Sequence, residues 1–212
     1  MDEQARGRLR SARSNAGIGV RELSRRVGIS ASMLSHIESG RSEPSVATLY
    51  ALVSALGISL DEVLGVKGSG AILNPASFVV KPADRATIVL DTGVKWERLT
   101  PTPDPDVDAL LVTYPPGSSS SNNGGLMRHA GKEYGFLLSG QLVVQVGFES
   151  MTLNAGDALS FDSSTPHMYR NEGSEPAVGI WHVTGRSRDE AYARSASEAE
   201  VDSAVDLPAA PP

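Results

Sequence analysis

The chain of 212 residues contains no cysteine. A disulfide framework, a thiolate metal site and a cysteine nucleophile are therefore excluded. No stretch is apolar for long enough to cross a bilayer, and no apolar run follows the charged start. A cytoplasmic protein is the expectation. No internal repeat is present, which argues against a solenoid or propeller. Lysine is missing from the first 65 residues, where all basic charge is arginine. What remains is ordinary for a folded chain. Apolar residues make up 40%, and the length suits one larger or two small domains.

The net charge of −6 is unevenly distributed. Up to Gly65, eight Arg stand against seven acidic residues, so this part carries +1 and the remainder −7. Arg6, Arg8, Arg10, Arg13, Arg21, Arg25, Arg26 and Arg41 cluster around one motif. This asymmetry favours contact with a polyanion by the first part and argues against it for the second.

That motif is Val20 to Arg41, VRELSRRVGISASMLSHIESGR. Val20, Leu23, Ser24 and Val27 recur at helical spacing. Gly28 suits a helix end and Ser30 the cap of the next helix. Leu34 and Ile37 point inward there, leaving Ala31, Ser32, Ser35 and His36 on the outer face. Before the motif, Ala5, Leu9 and Ala12 predict a first helix. After it, Ser45 caps a fourth with Val46, Leu49, Val53 and Leu56 as its stripe. Ser59 and Glu62 form a capping box for a short fifth helix. A short helix with small and polar side chains on its open face fits a major groove.

The segments RLRSAR, GVRELSRRVGIS, SMLSHIESGRSEPS and LYALVSALGISLDEVL resemble the phage-repressor (Xre/Cro) helix-turn-helix family, over roughly Gly7 to Leu64. The resemblance implies that Ala31, Ser32 and His36 face base edges, and that Arg10, Arg21, Ser35 and Arg41 meet phosphates. For His36 a capping or packing role is the alternative. For the whole segment the alternative is a helical bundle used only for assembly.

Residues 66–76 read as a linker, opening on the flexible run GVKGSG. From about Thr87 the period changes to two. Candidate strands are Thr87–Leu90, Lys95–Leu99, Ala109–Tyr114, Tyr134–Leu138, Leu142–Val146, Ala158–Phe161, His167–Arg170 and Val178–Thr184. Residues 115–125, PPGSSSSNNGG, have the composition of a mobile lid. Residues 186–212, poor in large apolar side chains, read as a disordered tail.

Two clusters in the strand-rich part stand out. His129-Ala130-Gly131-Lys132-Glu133 is followed by Gly140. Gly156-Asp157 leads to Pro166-His167 and Asn171. They resemble the two motifs of the cupin superfamily, over roughly Ala109 to Val183. Met127 stands where the first motif has its first histidine, and Asn154 where the second has proline. The resemblance implies an antiparallel jelly roll. It also implies a divalent metal (Fe, Zn, Ni or Mn) on His129, Glu133 and His167, a set that leaves coordination positions open. A vestigial site that has lost its metal is the alternative. Tyr134, Tyr169, Arg170 and Trp181 are candidates for an effector pocket beside it. Arg170 suits a carboxylate or phosphonate ligand, or else an exposed surface position. For Trp181 the alternative is core.

The expected fold is α+β in two domains: an all-α, five-helix repressor-like head at 1–65 and an all-β cupin jelly-roll barrel at 77–185. The expected function is a DNA-binding transcriptional regulator, a homodimer or higher oligomer, with a sensor for a small molecule, a metal or both, and no catalytic residues. The head-plus-cupin build and the run HAGKEY also resemble hydroxypropylphosphonate epoxidase. That resemblance implies a mononuclear iron oxidoreductase as the alternative. The linker is compatible with loose coupling of the two parts.

Overall fold

The computed structural model describes residues 1–65, 78–101, 104 and 106–185. The expected linker and tail lie outside these residues.

Five helices form the head: α1 (Glu3–Asn15), α2 (Val20–Val27), α3 (Ala31–Ser39), α4 (Val46–Leu56) and α5 (Leu60–Leu64). Each begins where the side chains dictate. Ser30 Oγ accepts the Met33 amide at 3.0 Å, and Ser45 Oγ accepts the Thr48 amide at 3.1 Å. Ser59 and Glu62 close the expected capping box. Gly28 adopts φ 74°, so α2 stops and the Ile29 amide folds back onto the Ser24 carbonyl. Side chains with a Cβ avoid that conformation. The apolar stripes meet in one core. Leu23, Leu34, Ile37, Leu49, Leu52 and Val53 are each no more than 1% exposed. The helices carrying the turn motif and α4 thus move as a unit, because close-packed interiors do not shear easily.

Among the described residues nine antiparallel strands follow: β1 (Thr87–Val89), β2 (Lys95–Arg98), β3 (Val107–Tyr114), β4 (Lys132–Ser139), β5 (Gln141–Val146), β6 (Glu149–Asn154), β7 (Ala158–Asp162), β8 (His167–Arg170) and β9 (Ala177–Thr184). They make a six-stranded sheet in the order β1-β2-β3-β9-β4-β7 and a three-stranded sheet β6-β5-β8. This is the two-sheet jelly roll expected. Eight strands fall where the alternation placed them. The ninth, β6, is an edge strand with only Leu153 buried, so its sequence lacks the apolar rhythm of a half-buried strand.

The serine-rich stretch 115–125 is not a lid. Ser118, Ser120 and Ser121 are buried, and Ser120 exchanges backbone and side-chain hydrogen bonds with Tyr169. Small hydroxyl side chains let this segment lie flat along β8, where its own amides find partners.

The head sits directly on the barrel. The Ala47 amide donates to the Ser120 carbonyl and the Asp91 amide to the Pro44 carbonyl, each at 3.0 Å. The Met1 ammonium donates to the Val89 carbonyl at 2.7 Å. Arg98 of β2, 1% exposed, lies 2.8 Å from Asp61 of α5. The loose coupling read from the linker is replaced by a docked arrangement, held by contacts that no linker composition reveals.

Candidate functional site

Strand alternation decides what faces the barrel interior. On β4 the odd positions Glu133, Gly135 and Leu137 are buried, and the even ones are exposed. On β8 Tyr169 enters the same space, and on β9 Trp181 and Val183, while His167 of β8 is buried against Glu133. His129 precedes β4 and is fixed by its amide, which donates to the Ser163 carbonyl. The structure thus brings His129, Glu133 and His167 together, all buried, with one donor atom from each within 4.8 Å of the others.

The hydrogen bonds set the chemistry of this cluster. His129 Nδ1 lies 3.1 Å from the Ala130 carbonyl, and His167 Nδ1 lies 2.8 Å from the Thr165 carbonyl. A carbonyl only accepts, so both Nδ1 atoms carry their proton, and each Nε2 turns inward, where a neutral ring presents a lone pair. Both Nε2 atoms approach Glu133 Oε1, at 2.8 and 3.0 Å, without an aligned hydrogen bond. Three electron-rich atoms therefore converge on one buried point. Burial opposes the charge of Glu133, but the two imidazoles, when protonated, outweigh it and hold the carboxyl down at about 2. Its second oxygen accepts from the Tyr169 hydroxyl, which in turn accepts from Trp181 Nε1 at 3.1 Å. Burial first, and then the Glu133 charge, push the Tyr169 hydroxyl well above its ordinary range, so it stays a donor.

This donor set fits a divalent cation. Two imidazoles oriented by backbone carbonyls and one carboxylate oriented by a tyrosine form the inner and outer layers that such ions use. A cation would satisfy both orphaned Nε2 atoms at once. Met127, where the family pattern has another histidine, is buried beside the triad and contributes an apolar wall.

Of the four pocket candidates, Tyr169 and Trp181 line the cavity. Tyr134 does not: one position from Glu133, it faces outward and is 43% exposed. Arg170 does not either. It follows Tyr169, and its Nε pairs with Glu172 at 3.1 Å on the surface. Among the contributors that went unrecognised in the sequence, Val46 and Tyr50 come from the head. The Tyr50 ring stacks on His129, with centroids 4.3 Å apart and planes at 19°. Tyr50 is one helical turn beyond Val46, so α4 carries a second face that its main stripe conceals.

In the head, Ser32 and Ser35 of α3 are exposed, and Ala31 and His36 are half-buried. Arg10, Arg21 and Arg41 are exposed and make no ion pair among the described residues. The other arginines are committed within the head. Arg6 pairs with Glu43, Arg13 with Glu38, and Arg25 and Arg26 with Glu22, while Arg8 donates to the Val63 carbonyl. The basic cluster seen in sequence is thus smaller in space.

Residues 7–69 match the helix-turn-helix domain family and residues 110–183 the cupin domain family. The chain is 26% identical over 165 residues to the HTH-type transcriptional regulator PuuR of Escherichia coli K12, spanning 77% of this chain and 85% of that protein. It is 39% identical over 88 residues to the transcriptional regulator ClgR of Mycobacterium tuberculosis, spanning 41% of this chain and 79% of that protein. A crystal structure of an HTH_3 family transcriptional regulator from Vibrio cholerae aligns over 86% of this chain and 96% of its own, with a TM-score of 0.61 at 24% identity, and shares the fold. No helix among the described residues is long and apolar enough to cross a membrane. With an open recognition helix on one domain and a jelly roll as the other, the chain belongs to the helix-turn-helix transcriptional regulators that carry a cupin domain.

Proposed function

We propose that the cupin cavity binds a small-molecule effector at a divalent metal held by His129, Glu133 and His167, and that its occupancy sets the affinity of the head for duplex DNA. The observation that carries this reading is the convergence of two imidazole nitrogens and a carboxylate oxygen beside an apolar cavity, which Glu133 lines and the head walls in part. The bound metal would supply open coordination positions for an oxygen or nitrogen of the effector. Glu133 is the only charged residue lining the cavity. The effector is therefore a compound with one metal-binding end and an apolar body, rather than a polyanion.

In the same reading Ala31, Ser32 and His36 read bases, and Ser35, Arg10, Arg21 and Arg41 hold phosphates. A homodimer presents two such helices to paired half-sites. The outer face of the larger sheet supports it: Tyr134, Phe136 and Leu138 are 43–47% exposed, and Phe136 continues across the strands into Ile180 and Leu111.

The test combines two measurements on the full chain. DNA upstream of its own gene should be retarded, with affinity falling steeply as salt rises. Elemental analysis of the parent against His129→Ala should show metal only in the parent. Indifference to DNA, with stoichiometric iron and oxygen consumption in the presence of a substrate, would instead establish an iron oxidoreductase.

A further inference from the structure

We infer that Tyr50 of the DNA-binding head is the movable wall of the sensor cavity, so that an effector and the docked head compete for the same space. This rests on the reading of the cavity as a ligand site. Three observations carry it.

First, the ring of Tyr50 covers one face of His129, a member of the triad. It stacks on His129 and lies 5.3 Å from Trp96, centroid to centroid, while Tyr50 itself is 4% exposed. Second, the residual cavity is about 20 Å³, room for little more than a water. An organic molecule with an apolar body does not fit until a wall moves. The barrel walls are strands inside a continuous sheet, and moving one breaks a ladder of hydrogen bonds. The α4 wall is joined to the barrel by no such ladder: its hold comes from the Ala47, Asp91 and Asp104 amide bonds, the Met1 ammonium contact, the Arg98–Asp61 pair and side-chain packing around Val46 and Tyr50. Third, α4 shares its core with α2 and α3. Leu49, Leu52 and Val53 pack in one cluster with Leu23, Leu34 and Ile37. A displacement of Tyr50 therefore carries the recognition helix with it as a rigid body.

The consequence is reciprocal. A ligand that enters only when Tyr50 leaves shifts the head away from its docked position, and whatever favours the docked head weakens that ligand. Tyr50 also selects among ligands. A bare metal ion reaches the triad without displacing the ring, whereas a metal-bound aromatic does not. The head would then respond to the organic compound and ignore the ion.

The experiment uses the only two tryptophans, Trp96 and Trp181, both of which line the cavity. Their fluorescence is quenched with acrylamide, a small neutral probe, in the full-length parent, Tyr50→Ala and Tyr50→Phe. The zinc-loaded proteins are then titrated with 4-phenylimidazole. Quenching should rise several-fold in Tyr50→Ala, and restoring the ring with Tyr50→Phe should bring the shielding back. Phenylimidazole should bind Tyr50→Ala at least tenfold more tightly than the parent. In the parent, saturating phenylimidazole should accelerate hydrogen exchange at the Ala47 amide, whose bond to Ser120 joins the domains, and zinc alone should not. This last measurement decides the matter if Tyr50→Ala does not fold. Equal quenching in parent and Tyr50→Ala, or phenylimidazole bound by the parent with Ala47 protection unchanged, would overturn the inference. If Tyr50→Ala opens to acrylamide but no variant binds zinc or phenylimidazole, the movable wall stands and the metal-sensor reading falls.

Discussion

Arg98→Met tests the docking of head on barrel most directly. Arg98 is 1% exposed, and its Nη1 lies 2.8 Å from Asp61 Oδ1 of the head and 3.1 Å from Asp108 Oδ1 of the barrel. Its Nε donates to Thr100 Oγ1 at 2.7 Å. Methionine keeps much of the side-chain volume and removes the charge. Two buried carboxylates then lose their shared cation, and breaking a buried ion pair from one side costs about 3–5 kcal/mol. That is a large share of the roughly 5–15 kcal/mol that holds a native domain together. The pH dependence follows from Asp61. Burial raises its carboxyl pKa above the ordinary range, and Arg98 offsets this only in part. A group whose folded pKa is raised favours the fold most when protonated. Its contribution is complete below the ordinary carboxyl range and is lost as pH rises through the raised value. Removing Arg98 raises Asp61 further and widens that window. Arg98→Met should therefore be least stable near pH 7 and recover on acidification toward pH 5, more than the parent does. Urea unfolding followed by fluorescence of the buried barrel residues Trp96 and Trp181 and by far-ultraviolet circular dichroism, to which the head helices contribute strongly, follows barrel and head. The added change Asp61→Asn should restore part of the loss by removing one orphaned charge. A variant within about 1 kcal/mol of the parent at pH 7 would refute this account, as would an equal loss at both pH values.

Three further outcomes are expected. Glu133→Gln keeps the shape of the side chain but not its charge; bound zinc, measured by competition with a chelator, should weaken by more than the roughly 10- to 100-fold expected for losing an outer-layer partner. Arg41→Ala should weaken binding to all DNA sequences alike and lower the salt slope by about 1, whereas Ser32→Ala should change the preferred bases; gel-shift titrations across salt and across operator variants distinguish the two. Gly140 has φ 76°, and a Cβ there would lie 2.4 Å from the Pro176 carbonyl oxygen. Gly140→Ala should destabilise the barrel by about 1–3 kcal/mol or more, visible as a lower thermal midpoint.

Local signals in the chain made the head legible almost completely. Caps at Ser30, Ser45 and Ser59 and stops at Gly28, Gly40 and Gly57 are short-range devices, and the structure contains each of them. Most strands were legible for the same reason, since alternation is a property of neighbouring residues. Where alternation fails, as in the exposed β6, the reading fails too. The pocket candidates show how narrow the margin is. Glu133 and Tyr169 face inward while Tyr134 and Arg170 face outward, one residue away, and only the register of the sheet says which is which.

The amino-acid sequence by itself determined the two folding units and the residues that fill the triad, because helix caps, strand period and the spacing of the cupin motifs are written along the chain. Tertiary structure alone decided that His129 and His167 both turn their Nε2 atoms toward one oxygen of Glu133, that five of the eight head arginines are held within the head, and that Tyr50 closes the cavity from the other domain. Several of these contacts, His167 with Glu133, Arg8 with Val63 and Tyr50 with His129 among them, join residues dozens of positions apart. They are set by how rigid surfaces dock, and no local periodicity records that.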